Sequence, residues 1–257
     1  MPGSMRCITA DGAVAVRSAP TICTSPVSAV LPADLLEAEQ RTFNALTETL
    51  DSQRRGRWQV TWRFEGLRLL GPALRLANSL RDSGRSLLLA WPDAGAAALA
   101  KRDGQELADC CVDLMQLQRD PAWAQRGDLL LIVGAQPSDY ETVEAICTQW
   151  MEPVVLINSR LEDAAVGIGG VARSRRRGFM STWKSAYHLE PFLEGALMQE
   201  RLKEWDLFRL DPDGHRWVKR FEERPDQEQI DEALAGSADG LKQTLGAMDR
   251  FIDDLRG

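Results

Sequence analysis

Histidine is scarce in this sequence: His188 and His215 are the whole complement, and neither stands at triad or metal-ligand spacing from a serine or cysteine. That argues against a histidine-based zinc centre and against a Ser-His or Cys-His nucleophile. The five cysteines, Cys7, Cys23, Cys110, Cys111 and Cys147, form an odd set without a CxxC spacing, and the adjacent pair Cys110 and Cys111 lacks ordinary disulfide geometry. A reducing compartment such as the cytoplasm fits this usage. Long apolar runs are missing as well. The longest, Leu129–Val133 and Val154–Ile157, are strand-sized and far short of the roughly 20 residues that cross a bilayer. Excess positive charge is also lacking, and a net charge of -7 makes nucleic acid a poor partner. No GxSxG elbow occurs, and Gly167, Gly169 and Gly170 fit neither GxGxxG nor GxxxxGK[ST]. The chain therefore shows no catalytic constellation, metal site or cofactor motif.

What is present is an alternation of helices and strands. Residues 1–30 carry no apolar period and read as a disordered leader, either a plain tail or a targeting segment. From residue 31 to 257 a single α/β domain is expected. Asp34 with Glu37 forms an Asp version of a capping box ahead of a helix carrying Leu36, Phe43, Leu46 and Leu50. Trp58–Phe64, Leu87–Trp91, Asp128–Val133 and Pro153–Asn158 read as strands. Helices are expected after Gly71-Pro72, at Ala94–Lys101, and behind a capping box of Ser138 and Glu141. Continuous apolar strands alternating with helices predict a Rossmann-like, mostly parallel sheet covered on both faces. Phe179, Trp183 and Tyr187 share strand parity, and the turn Asp211-Pro212-Asp213-Gly214 joins two further strands, so an antiparallel hairpin should extend the sheet. The core ends near residue 226. A C-terminal amphipathic helix over 227–256 follows, with Leu241, Leu245, Met248, Ile252 and Leu255 on one stripe.

In open α/β sheets, ligands collect beyond the carboxyl ends of the strands. Asp93, Gln136, Asp139, Asn158 and Arg160, with Glu65 nearby, are the polar residues this chain delivers there. They are ligand-binding candidates, although the same residue types also cap helices and tie down loops. Gly167–Gly178, with four glycines and four arginines, reads as a mobile loop whose Arg173, Arg175, Arg176 and Arg177 suit an acidic partner or an anionic lipid surface. Of the eight tryptophans, Trp58, Trp62 and Trp91 belong to buried strands, whereas Trp123, beside Pro121 in a polar stretch, is a candidate exposed anchor.

Short pieces along the chain carry a family resemblance. Leu31-Pro32 precedes an acidic helix, Trp91-Pro92-Asp93-Ala94-Gly95 leads into Ala97–Ala100, and Val155–Leu161 reads V-L-I-N-S-R-L. Later come Tyr187–Phe192 as Y-H-L-E-P-F, Gly195-Ala196-Leu197, Trp205 and Arg224-Pro225. Together, over roughly residues 31–226, the chain resembles the domain of unknown function shared by oxygenic phototrophs. That group includes the low-photosystem-II-accumulation type of chloroplast protein and the C-terminal extension of some chloroplast adenylate kinases. Ala135 and Ser159 stand where the family pattern has proline. The resemblance implies no catalytic residue. It implies a non-catalytic auxiliary protein, cytoplasmic or stromal and peripheral to thylakoids. Its partners would be photosystem assembly intermediates, photosystem II above all, or other thylakoid-associated proteins. The alternative expectation is an enzyme or sensor holding a small anionic metabolite or nucleotide through Asp93, Asn158 and Arg160.

Overall fold

The computed structural model describes residues 29–53, 55–165 and 170–236. Asp34 opens α1 (Leu35–Ser52), its carboxylate accepting from the Glu37 backbone N–H at 2.8 Å, while Glu37 reaches back to the Ala33 N–H. The Asp34 half of the expected box is formed, whereas Glu37 closes on the residue before the N-cap and not on the N-cap N–H. Leu46 and Leu50 face inward as expected, but Leu36 is 63% exposed. The alternation continues through β1 (Arg57–Trp62), α2 (Leu70–Asp82), β2 (Leu87–Trp91), α3 (Ala94–Asp103), β3 (Cys111–Asp113) and α4 (Leu114–Arg119). It then runs through β4 (Leu129–Val133), α5 (Tyr140–Gln149), β5 (Val154–Ile157) and α6 (Gly170–Met180). Four strands follow without a helix between them: β6 (Trp183–Phe192), β7 (Gly195–Arg201), β8 (Glu204–Asp211) and β9 (Gly214–Phe221).

All nine strands form one sheet in the order β3-β2-β4-β5-β1-β6-β7-β8-β9. Neighbours from β3 to β6 are parallel, and from β6 to β9 antiparallel. Strand parity splits the apolar side chains into two cores. Trp58, Val60, Leu87, Leu89, Leu131, Val155 and Ile157 meet residues of α1, α2 and α3 on one face. Leu88, Leu130, Ile132, Val154 and Leu156 meet residues of α4, α5 and α6 on the other. A sheet buried on both faces requires the continuous apolar strands that made the sequence legible. Leu88 pairs with Leu130, Ile132 with Leu156 and Val133 with Ile157, so the expected core strands are adjacent and buried.

Several expectations are corrected. The antiparallel extension is a run of four strands, β6 to β9, and the predicted 211–214 hairpin is its outermost turn. The short strand β3 went unforeseen, since three residues show no period. Phe179 lies in α6, not on the strand that Trp183 and Tyr187 share, and the arginine-bearing segment from Gly170 onward is helical. The expected box of Ser138 and Glu141 is displaced by two residues: Asp139 accepts from the Gln136 backbone N–H at 2.8 Å, and a 3-10 turn at Pro137–Asp139 leads into α5. The pyrrolidine of Pro137 starts that turn at a position whose N–H would be unsatisfied anyway. Residues 227–236 are helical; the leader through residue 28 and the apolar stripe from Leu241 onward lie outside the described residues. No helix among the described residues is long and apolar enough to cross a membrane.

Candidate functional site

The carboxyl ends of the parallel strands carry the predicted polar residues, and the local fold decides what each is free to do. β1 ends at Trp62, with Arg63, Phe64 and Glu65 beyond it, while β5 ends at Ile157 before Asn158. Asn158 sits at φ +50°, a left-handed conformation that asparagine tolerates better than most residues. Its side chain continues the sheet beyond its last pair: Oδ1 accepts from the Trp62 N–H at 2.6 Å and Nδ2 donates to the Trp62 carbonyl at 2.8 Å. Both ends of the amide are thereby committed to backbone. Asp93 is likewise committed, capping α3 through the Ala96 N–H at 2.9 Å, and Asp139 through the Gln136 N–H. The Gln136 side chain donates to the Gly134 carbonyl at 2.7 Å. Arg160 is exposed, and its side chain has no hydrogen bond or ion pair among the described residues.

The structure brings some candidates together and separates others. A depression of about 470 Å³ is lined by Arg63, Glu65, Gly134, Gln136, Asn158 and Arg160 among others. Asp93 and Asp139 do not line it. The crossovers diverge between β2 and β4, whose ends Asp93 and Gln136 follow, but the depression opens further along, over the ends of β4, β5 and β1. An Asp93, Asn158 and Arg160 triad is therefore not assembled.

The four arginines separate too. Arg175 pairs with Glu144 at 2.6 Å, and Arg176 donates to the Ala164 carbonyl at 2.5 Å while stacking 4.9 Å from the Tyr140 ring centroid. Both tie α6 to α5 and to the turn before α6. Arg177 is exposed in the last turn of α6, where a cation complements the helix dipole, and Arg173 is exposed in the middle of the helix. Trp123 is not an exposed anchor: it is 8% exposed, packs in the second core and carries Arg126 over its ring at 4.3 Å. The 3-10 turn started by Pro121 folds the indole inward. Cys147 packs into the second core, and burial pushes its thiol up to about 12, leaving it a poor nucleophile.

One cluster escaped the sequence reading. His188 on β6 is 3% exposed and its Nε2 lies 3.0 Å from Glu190, the next residue on the same strand face. Arg224 reaches Glu190 at 3.1 Å, and Arg63 bridges Glu162 at 2.7 Å and Glu190 at 3.6 Å. The bond from His188, with the two guanidinium groups, holds the Glu190 carboxyl far below its ordinary range, at about 2, while burial lowers the His188 imidazole. The contact joins Nε2 of this buried ring to the Glu190 carboxylate. The signal was available: in Tyr187-His188-Leu189-Glu190, the polar pair alternates with apolar residues at strand period.

An α/β sheet with parallel crossovers and an antiparallel flank defines the class. Over residues 32–232 the chain matches the model of the family described as domain of unknown function DUF1995, and it belongs to that family. No curated protein matches the chain. Among solved structures, one described as a DNA replication initiation factor aligns at 14% identity and TM-score 0.32, over 55% of this chain and 44% of its own. The chain thus spans under half of that structure, and a likeness so low bears on neither fold nor function.

Proposed function

We propose that the protein is a non-catalytic auxiliary factor that works by binding other proteins, peripheral to thylakoids and in support of photosystem II assembly or maintenance. The observation that carries the non-catalytic part is the commitment of Asp93, Asp139 and Asn158 to backbone groups of their own fold. Acid–base chemistry needs a titratable group whose proton is within reach of a substrate, and a carboxylate satisfied as a helix cap serves poorly. The thylakoid part rests on the family resemblance, whose span of 31–226 coincides with the family match over 32–232. Disruption of the gene in its native host tests it: photosystem II content and variable chlorophyll fluorescence should fall. Unchanged levels of both would remove the assignment.

A second reading is supported by one observation. The side chain of Arg160, without a partner among the described residues, borders the 470 Å³ depression and could meet a small anion, whereas Arg63 on the same rim is already paired with Glu162 and Glu190. Thermal shifts with a panel of nucleotides and carboxylates test it. Saturation at 100 times the dissociation constant adds about 2.7 kcal/mol, which a melting curve detects, and null shifts throughout would exclude it.

A further inference from the structure

We propose that residues 237–256 fold back over the chain's own sheet and cover the apolar face formed by Leu197, Trp205 and Leu207 on β7 and β8. Leu197 pairs with Leu207, and Gln199 with Trp205, so these side chains share one face of the antiparallel flank. Their neighbours Ala196, Met198 and Phe208 point the other way, into the first core. Leu197, Trp205 and Leu207 are 2%, 7% and 0% exposed, yet none of them belongs to either core. The second core, built on α4, α5 and α6, includes only Trp183 from β6 and nothing from β7 or β8. An apolar sheet face is buried by a layer packed on it, and the cover here comes from outside α1 to α6.

The chain after β9 leads onto this face. Arg224 bonds Glu190 of β6 at 3.1 Å and lies over the Trp205 ring, 5.9 Å from its centroid, and Pro225 behind it is buried. Asp226 then starts the helical residues 227–236. Its carboxylate accepts from the Gln229 N–H at 2.9 Å, while the Gln229 side chain accepts from the Asp226 N–H at 3.0 Å. This reciprocal cap fixes where the helix begins, two residues after Arg224 pins the chain to the sheet. Ile230 is 9% exposed and Leu234 half-buried, which marks the inward side of the helix, and Ile230 too belongs to neither core.

The sequence beyond residue 236 continues that inward side. Ile230 and Leu234 are followed by Leu241, Leu245, Met248, Ile252 and Leu255 at helical spacing, with Asp239, Lys242, Asp249 and Asp253 between them. About 20 residues in a helix span roughly 30 Å, enough to run the length of β8 with its eight residues. Attachment through Arg224 and Pro225 presents the stripe to the face at an effective concentration in the millimolar range, which favours the chain's own segment over a second copy or a foreign protein. The proposal does not rest on the thylakoid assignment.

Photo-crosslinking of the full chain tests the proposal, with p-benzoylphenylalanine in place of Met248 in one variant and in place of Arg250, on the polar side, in another. The first probe should crosslink to β7 or β8, and the second should not. When isotope-labelled and unlabelled chains are mixed, each product should join peptides of one labelling state. Products that join both states would put a second copy on the face. A first probe that crosslinks elsewhere or nowhere would leave the face to another occupant, and either result would overturn the proposal. Leu241→Asp combined with Leu245→Asp gives an independent reading by hydrogen exchange: amides of β7 and β8 should exchange about tenfold faster or more, because a buried carboxylate undoes the cover, while β2 and β4 exchange as in the parent. Unchanged exchange in β7 and β8 would likewise overturn it. If the double variant fails to fold, the crosslinks decide alone.

Discussion

At the residue scale, His188 and Asn158 show how polar side chains are used for structure. Burial lowers the folded-state affinity of His188 for a proton, so the unfolded chain takes one up more readily. The stability this group contributes is present above the ordinary histidine value near 6.5 and is lost as pH falls below it. Denaturant midpoints should therefore decline as pH drops from 7 toward 5, and His188→Gln should flatten that decline. An unchanged slope in the variant would show that His188 is not the titrating group. Glu190 acts lower: its contribution is present above the ordinary carboxylate value and disappears as pH falls toward 2, so Glu190→Gln should blunt acid unfolding in that window. Asn158→Ala should cost about 1–3 kcal/mol for the two lost bonds, plus roughly 1 kcal/mol for a non-glycine residue at positive φ. Asn158→Gly should restore the second part only. Chemical denaturation of the two variants checks both components.

At the scale of elements, the parallel core was legible because strands buried on both faces must be apolar throughout, and Leu87–Trp91, Leu129–Val133 and Val154–Ile157 are. Ile157, fully buried between β4 and β1, should lose about 2–5 kcal/mol on truncation to alanine. Denaturant titration reads this directly, and a loss below about 1 kcal/mol would contradict the packing described. β7 was harder to find. Its Gly195 reads as a breaker in sequence, but the reason for it is contact between strands: a Cβ there would stand 1.9 Å from the Phe208 carbonyl oxygen of β8. Gly195→Ala should thus force the β7–β8 pair apart and cost about 1–3 kcal/mol, measurable as a lowered melting temperature. The helical state of 170–180 was hidden by Gly170 and Gly178, two residues that penalise helix on propensity, and is held instead by tertiary contacts of Arg175, Arg176 and Phe179 with α5 and its neighbours. Tertiary contacts also explain the error over Trp123, since composition around a tryptophan does not report which way a short turn rotates it.

At the scale of the whole molecule, the strand ends gather the residue types an active site would use, yet several of them complete the sheet and cap its helices. Sequence could name these residues, because their place after each strand follows from the α/β pattern; it could not show that their polar atoms were already committed. The central proposal is that the protein supports photosystem II without catalysis by these groups. Complementation of a gene disruption with Asp93→Asn tests it most directly, because asparagine caps a helix about as well as aspartate while removing the carboxylate. The account predicts that disruption lowers photosystem II content and that the variant restores it to the parental level. A disruption without effect, or a variant that accumulates normally and fails to restore photosystem II, would contradict it.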